Sequence, residues 1–281
     1  MGLFSGLEQL GLGKYNNAKL MEEKKAEEVL LNDEGKQVPK VSEEDVLYDK
    51  RYTCPVCDIS FTSKTVRAGK IKLIGKDTDL RATYEVADPH KYDVIACENC
   101  GYAAVGRYFG KLSTRQMRDI KDQVGTNFRG ISNDKDLFTY DDAILRYKLA
   151  LVCSIVKRAK NSEKGYTSLK MAWILRGKRL SLKPGDAMIK QLYEEEMECI
   201  TNAYACFVDA LANELLPIAG MDESTIKYLM AELARKLKKY DESAKLLAEV
   251  LTSKATPARL KEEALNVKEL LKDDIKKNGR S

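Results

Sequence analysis

The chain of 281 residues holds one histidine, one tryptophan and six prolines. With a single imidazole, multi-histidine metal sites are excluded, and any histidine chemistry falls on His90 in Asp88-Pro89-His90. No glycine-rich phosphate loop of the G-x-x-x-x-G-K or G-x-G-x-x-G kind occurs, so nucleotide-dependent chemistry has no recognisable cradle. No apolar run approaches the roughly 18 residues that a membrane span needs. The opening residues Met1–Gly13 lack a basic n-region and a small-residue cleavage site, so no export leader is expected. Gly6 stands where a myristoylation signal needs Ser or Thr. With 44% hydrophobic and 32% charged residues there is material for a large core. Seven cysteines without an export signal point to a reducing, cytoplasmic setting.

Charge and texture divide the chain into three parts. Residues 1–49 carry 6 basic and 11 acidic residues and read as a peripheral arm with a short helix over Glu22–Leu31. In this arm Leu3, Phe4, Leu7 and Leu10 share one helical face, expected to dock on the protein's own body rather than on a membrane. Residues 50–112 have strand chemistry in Lys70–Ile74, Ala82–Val86 and Tyr92–Ala96. Residues 113–281 are helical. Ser113 with Gln116 opens a helix to about Val124, and Thr139 with Asp142 opens one to about Arg158. Further helices are expected at about Glu163–Leu180, Asp186–Leu216, from Asp222, from Asp241 and after Thr256-Pro257. Short loops make successive helices antiparallel neighbours. The expected fold is α+β, mostly α: a small zinc-ribbon-like β domain followed by an antiparallel helical array.

The chemistry concentrates in two C-x2-C pairs, Cys54-Pro55-Val56-Cys57 and Cys97-Glu98-Asn99-Cys100, with 39 residues between them. Each pair presents two thiolates from a tight turn, and two such turns complete a tetrahedral metal site. Gly101 and Asp58 follow the pairs, where a left-handed backbone would bring amide N–H groups toward sulfur. Phe61 and Tyr102 are positioned to exclude water. Four thiolates close the shell and leave no place for substrate. The expected ion is therefore structural zinc, with rubredoxin-like iron as the alternative. His90 reads as a polar turn residue, with replacement ligand or general base as its functional alternatives. Cys153, Cys199 and Cys206 read as small packing residues within apolar helices.

The helical part carries fragments of the tetratricopeptide pattern. Tyr140-Asp-Asp-Ala143 with Tyr147 and Ala150 matches a second helix, Trp173 with Gly177 a first helix, and Leu237–Ser243 with Leu247 a turn and second helix. Residues 146–183 hold eleven Lys/Arg and one acid, Glu163, whereas residues 186–223 hold nine acids and one base, Lys190. This reads either as an anion-binding face, with Lys157, Arg158 and Lys160 as its test residues, or as two helices that neutralise each other side by side.

At Tyr52-Thr-Cys-Pro-Val-Cys57, Phe61, Lys64–Ile74, Tyr92-Asp-Val94 and Cys97-Glu-Asn-Cys-Gly-Tyr-Ala-Ala104 the chain resembles the bacterial family of domain of unknown function 2225. The opening Met1-Gly-Leu-Phe-Ser-Gly-Leu7 is similar to members as well. The resemblance implies a bacterial cytoplasmic protein that pairs the double C-x2-C segment with tetratricopeptide-like helices. It supplies no reaction and no catalytic residue. The function expected is a non-enzymatic adaptor that binds a protein or peptide through its helices and has no small-molecule substrate. Nucleic-acid binding is the alternative, and an iron redox protein a third.

Overall fold

The computed structural model describes residues 41–278 apart from Lys111. The Leu3/Phe4/Leu7/Leu10 face and the Glu22–Leu31 helix lie outside the described residues. From Glu43 onward the chain forms one compact unit. It begins with three antiparallel hairpins: β1 (Leu47–Thr53) with β2 (Ser60–Val66), β3 (Leu73–Lys76) with β4 (Ala82–Tyr84), and β5 (Val94–Ala96) with β6 (Ala103–Val105). Eight helices follow: α1 (Gly106–Phe109), α2 (Thr114–Ile120), α3 (Tyr140–Val156), α4 (Asn161–Ser181), α5 (Met188–Asn213), α6 (Glu223–Lys236), α7 (Tyr240–Thr252) and α8 (Ala258–Asn278). The fold is α+β and mostly α.

Local chemistry explains the helix starts. Ser113 and Thr139 each form a reciprocal capping box, with Gln116 and Asp142 respectively. Asp222 accepts from the Thr225 N–H at 2.7 Å and starts α6. Helix α2 does not reach Val124 as one α-helix; it stops at Ile120 and continues as a π-turn over Lys121–Gly125. From α3 to α8 every helix packs on its successor, as short connections require. Gly177 lets α3 and α4 approach closely: a β-carbon there would lie 2.7 Å from the Tyr140 ring.

The strands were less legible. Strands β1, β2 and β6 had no counterpart among the expected ones, and the boundary expected at residue 50 falls inside β1. Leu47-Tyr-Asp-Lys-Arg-Tyr-Thr53 buries only Leu47, so pairing with β2 rather than an apolar face makes it a strand. Strand β3 begins at Leu73, because Ala68–Lys70 is a 3-10 turn, and Tyr92 closes another such turn ahead of β5. The hairpins and helices share one core. It runs from Cys54 and Phe61 through β5, β6 and α3 to α6, and a second cluster joins α6, α7 and α8.

The β3–β4 turn is driven into the helices by charge. Asp79, fully buried, is held by Arg176 of α4 and by Lys236 of α6 at 2.7 Å. Arg176 also binds Asp77 and Glu196, each at 2.7 Å. Tyr228 of α6 donates to the Thr78 carbonyl at 2.8 Å, and Thr78 donates to the buried Glu232 at 2.7 Å. Leu80 is held at φ 70°, a left-handed conformation costly for a branched side chain, while it packs on both core clusters.

Burial alone would push the Asp79 carboxyl up, but Arg176 and Lys236 outweigh it and hold the carboxyl well below the usual range. A depressed carboxyl adds stability that is present above its unfolded value, near 3.9, and is lost as pH falls through its folded value. Urea titrations should therefore find Asp79→Asn less stable than the parent at pH 7 and less sensitive to acid below about pH 4. Arg176→Met, which strands buried carboxylates, should lose about 3–5 kcal/mol. Parent-like stability and an unchanged acid limb in both variants would show that the network does not anchor the turn.

Candidate metal centre

The two C-x2-C pairs occupy equivalent turns. Cys54 follows β1 and Cys57 lies in the β1–β2 connection; Cys97 follows β5 and Cys100 lies in the β5–β6 connection. Each connection is six residues long and closes in the same way. The Cys54 N–H donates to the Ile59 carbonyl at 3.0 Å, and the Cys97 N–H to the Tyr102 carbonyl at 2.8 Å. The N–H of Asp58 reaches back to the Cys54 carbonyl at 2.9 Å, and that of Gly101 to the Cys97 carbonyl at 3.0 Å. Both residues have the left-handed backbone expected of them, φ 58° at Asp58 and 73° at Gly101. The Val56 N–H points at the Cys54 sulfur from 3.4 Å.

The turns bring all four sulfurs within 4.8 Å of one another. Cys54 and Cys100 are 3.5 Å apart, and Cys57 and Cys97 3.6 Å. A disulfide would need about 2.05 Å. Tetrahedral coordination with metal–sulfur bonds of about 2.3 Å separates sulfurs by about 3.8 Å. The donor set and its spacing thus suit one tetrahedral ion. Cys54, Cys97 and Cys100 are buried and Cys57 is half-buried. Crowding splits the thiols: hydrogen bonds from Cys100 and then Cys54 hold Cys97 far below the usual thiol range, while contacts with Cys54 and Cys97 push Cys100 far above it. Among the described residues this is the one cluster of histidine, cysteine or carboxylate ligands able to hold a metal.

Around the sulfurs lies a supporting layer. Phe61 and Tyr102 are buried as expected, joined through Phe109, which stacks on Tyr102 and meets Phe61 edge-on. Three other contributors had no sequence signal. The ring of Phe128 sits where a Gly101 β-carbon would be, at 2.6 Å. Asn133 donates through Nδ2 to the Ala96 carbonyl at 3.1 Å, and its N–H donates to Glu98 at 3.3 Å. Both residues come from the irregular segment between α2 and α3, which nothing local marks as part of a site. Cys153 of α3 is more than packing: its sulfur takes the Ala103 N–H at 3.4 Å and its thiol donates to the Gly101 carbonyl at 3.5 Å. Burial pushes that thiol up to about 11, so it acts as a neutral clamp between α3 and the second turn.

His90 lies in the Pro89–Tyr92 turn, and it is buried there. Its Nδ1 lies 3.1 Å from the Lys170 ammonium and 3.2 Å from Asp93. The basic run also has a different disposition from a surface patch. Arg146, Lys157, Lys170 and Arg176 are buried, and Lys157 pairs with Glu163 at 2.6 Å. Helices α4 and α5 do lie side by side, yet Glu196 is the acid of α5 that pairs with the run, through Arg176 and Arg179. Most compensation comes instead from Asp77, Asp79 and Asp93 of the β region and from Asp141 of α3.

The Gly101 cradle gives a direct test. Gly101→Ala must strain a left-handed backbone, about 1–2 kcal/mol, and also displace the Phe128 ring. It should lower the melting temperature and speed metal loss to a chelator. Asp58→Gly, at the equivalent position, should leave both unchanged or improved. Equal metal retention in Gly101→Ala and the parent would show that Phe128 does not brace this turn.

No helix among the described residues is long and apolar enough to cross a membrane. No curated protein and no solved structure matches the chain. The family model described as "Uncharacterized protein conserved in bacteria (DUF2225)" matches residues 47–271, which takes in every strand, both cysteine turns and nearly the whole helical array. The chain belongs to the DUF2225 family.

Proposed function

We propose that the chain is a zinc-stabilised interaction protein without catalytic chemistry of its own, acting in the cytoplasm and offering a tetratricopeptide-like helical array to a protein or peptide partner. The reading rests on one observation: the four sulfurs of Cys54, Cys57, Cys97 and Cys100 lie within 4.8 Å of one another, close enough to share one metal ion. A closed four-thiolate shell leaves no open position for water or substrate, which favours a structural ion over a catalytic one. Zinc is preferred to iron because it suits a shell whose work is folding rather than electron transfer.

The adaptor reading is favoured over nucleic-acid binding by the fate of the basic run. Lys157, Lys170 and Arg176 face carboxylates inside the protein and Arg146 faces a carbonyl, so the run presents only part of its charge to phosphates. The inner side of the helices is already taken up near α4 and α6 by the chain's own Asp77–Leu80 turn. A partner therefore has to use other helical surface or displace that turn.

Elemental analysis of protein purified under reducing conditions should find one zinc per chain, and each Cys→Ser change should lower it and destabilise the hairpins. Iron with red colour, or no metal, would overturn the zinc assignment. Binding to generic DNA or RNA at physiological salt should be weaker than about micromolar. A tighter affinity that collapses with added salt would replace the adaptor reading with the nucleic-acid one.

A further inference from the structure

Between the hairpins and α4 lies a cavity of about 300 Å³ that the metal centre does not use. That is the lower end of the range for small-molecule sites. Tyr52, Ile95 and Val105 supply an aromatic and aliphatic wall; Tyr166, Lys170 and Arg107 supply the polar side. Three separate parts of the fold converge there: the β1–β2 hairpin, the β5–β6 hairpin with the start of α1, and helix α4.

The charges at this cavity are arranged rather than scattered. Lys170 is buried and bound to Asp93 at 2.6 Å, and its ammonium lies 5.1 Å from the centre of the Trp173 ring. Its Nζ also lies 3.1 Å from His90 Nδ1. Burial alone would lower the lysine, but Asp93 outweighs it and keeps the ammonium charged. Arg107 is exposed at the rim, its guanidinium stacked 4.6 Å over the Tyr166 ring. One of its N–H groups is used by the Ala219 carbonyl, and an arginine has five to offer. Among the residues that line the cavity, Lys170 and Arg107 against Asp93 leave one uncompensated positive charge beside an apolar wall. A cation would meet repulsion there, and a neutral ligand would leave the charge unused.

We propose that this cavity is a binding site for a small monoanion, with its oxyanion head on Arg107 and a flat apolar body against Tyr52, Ile95 and Val105. Arginine presents parallel N–H donors that match a carboxylate or phosphate oxygen pair. The site lies outside the interaction role proposed above and uses none of the four clustered cysteines.

The sole tryptophan provides the readout. Trp173 lies against Lys170 and against His90, whose ring centre is 5.0 Å away, so its single indole N–H resonance reports on the cavity floor. Benzoate is the probe, with neutral benzamide and cationic benzamidine as isosteric controls and phenyl phosphate to compare head groups. Benzoate added to the metal-loaded full chain should shift the Trp173 resonance saturably, with a dissociation constant of about 1 mM or tighter. Benzamide should bind at least tenfold more weakly and benzamidine not at all. Arg107→Ala should weaken benzoate at least tenfold while keeping the parent's metal content, and Arg107→Lys, which keeps the charge but not the paired donors, should weaken it less than Arg107→Ala does. Stronger response to phenyl phosphate than to benzoate would support the site and assign it to phosphates. The proposal is overturned by no saturable shift with either anion, by benzamidine binding as well as benzoate, or by benzoate affinity that survives Arg107→Ala.

Discussion

Four sulfurs within 4.8 Å of one another, three of them buried, cannot all be thiolates unless a cation sits among them. A metal ion bound there would balance the charge of four thiolates, and its binding would be coupled to folding of the two turns. The rest of the β region hangs on this point. Among the described residues the β1–β2 and β5–β6 hairpins are not paired to each other in one sheet, and each sheet has two strands. Two-stranded hairpins are marginal on their own in water. What joins them is the cysteine cluster and the core that they share with α3 and α4.

The coupling extends outward from the second turn. Cys153 clamps it to α3, Phe128 and Asn133 cover it, and Arg146 of α3 donates to the Ser132 carbonyl at 2.7 Å while lying 4.0 Å from the Phe138 ring centre. The first turn has no comparable support among these contacts. One end of the site is thus built into the helical body, and the other is carried on a hairpin. A second anchor, the buried Asp79–Arg176–Glu196 network, fixes the β3–β4 turn against α4 and α6. Buried ion pairs of this kind add little net stability over apolar packing, yet they are costly to break singly. Their plain consequence here is orientation: the turn can dock in one register because each carboxylate has a designated cation.

The cysteine turns were legible because their chemistry is local. Two C-x2-C pairs, a glycine or aspartate in the left-handed position and Tyr102 lie within six-residue loops, with Phe61 just beyond the first, and the structure places each of them as read. Helix starts were legible for the same reason: Ser113, Thr139 and Asp222 each act within three residues of themselves. What could not be read depends on distance in sequence. Strands β1 and β2 carry polar runs whose strand character comes from pairing. Phe128 and Asn133 look like loop residues until the fold puts them beside Gly101 and Ala96. Nothing in Asp88, Pro89 and Lys91 beside it in sequence signals that His90 is buried, because its burial is supplied by α3 and α4 through Tyr147, Trp173 and Lys170.

The basic run of residues 146–183 illustrates how misleading a linear charge count becomes in a helical array. Read as a string it is either an anion-binding face or the partner of the acidic helix that follows it. Folded, its charges divide by helix face. Arg146, Lys157, Lys170 and Arg176 point into the protein and meet a carbonyl or carboxylates, while Lys148, Arg158 and Lys160 have no acidic partner among the described residues. The buried set is what ties the hairpins to the helices, since the acids it meets come largely from the β region. A block of like charge here is a docking device between two parts of one chain. The acidic stretch of residues 186–223 is a separate matter: apart from Glu196 it forms no ion pair with the basic run among the described residues, so it leaves α5 with an acidic outer face. That asymmetry argues against a phosphate-binding role for the array, because polyanions approaching α4 would meet the carboxylates of α5 beside it.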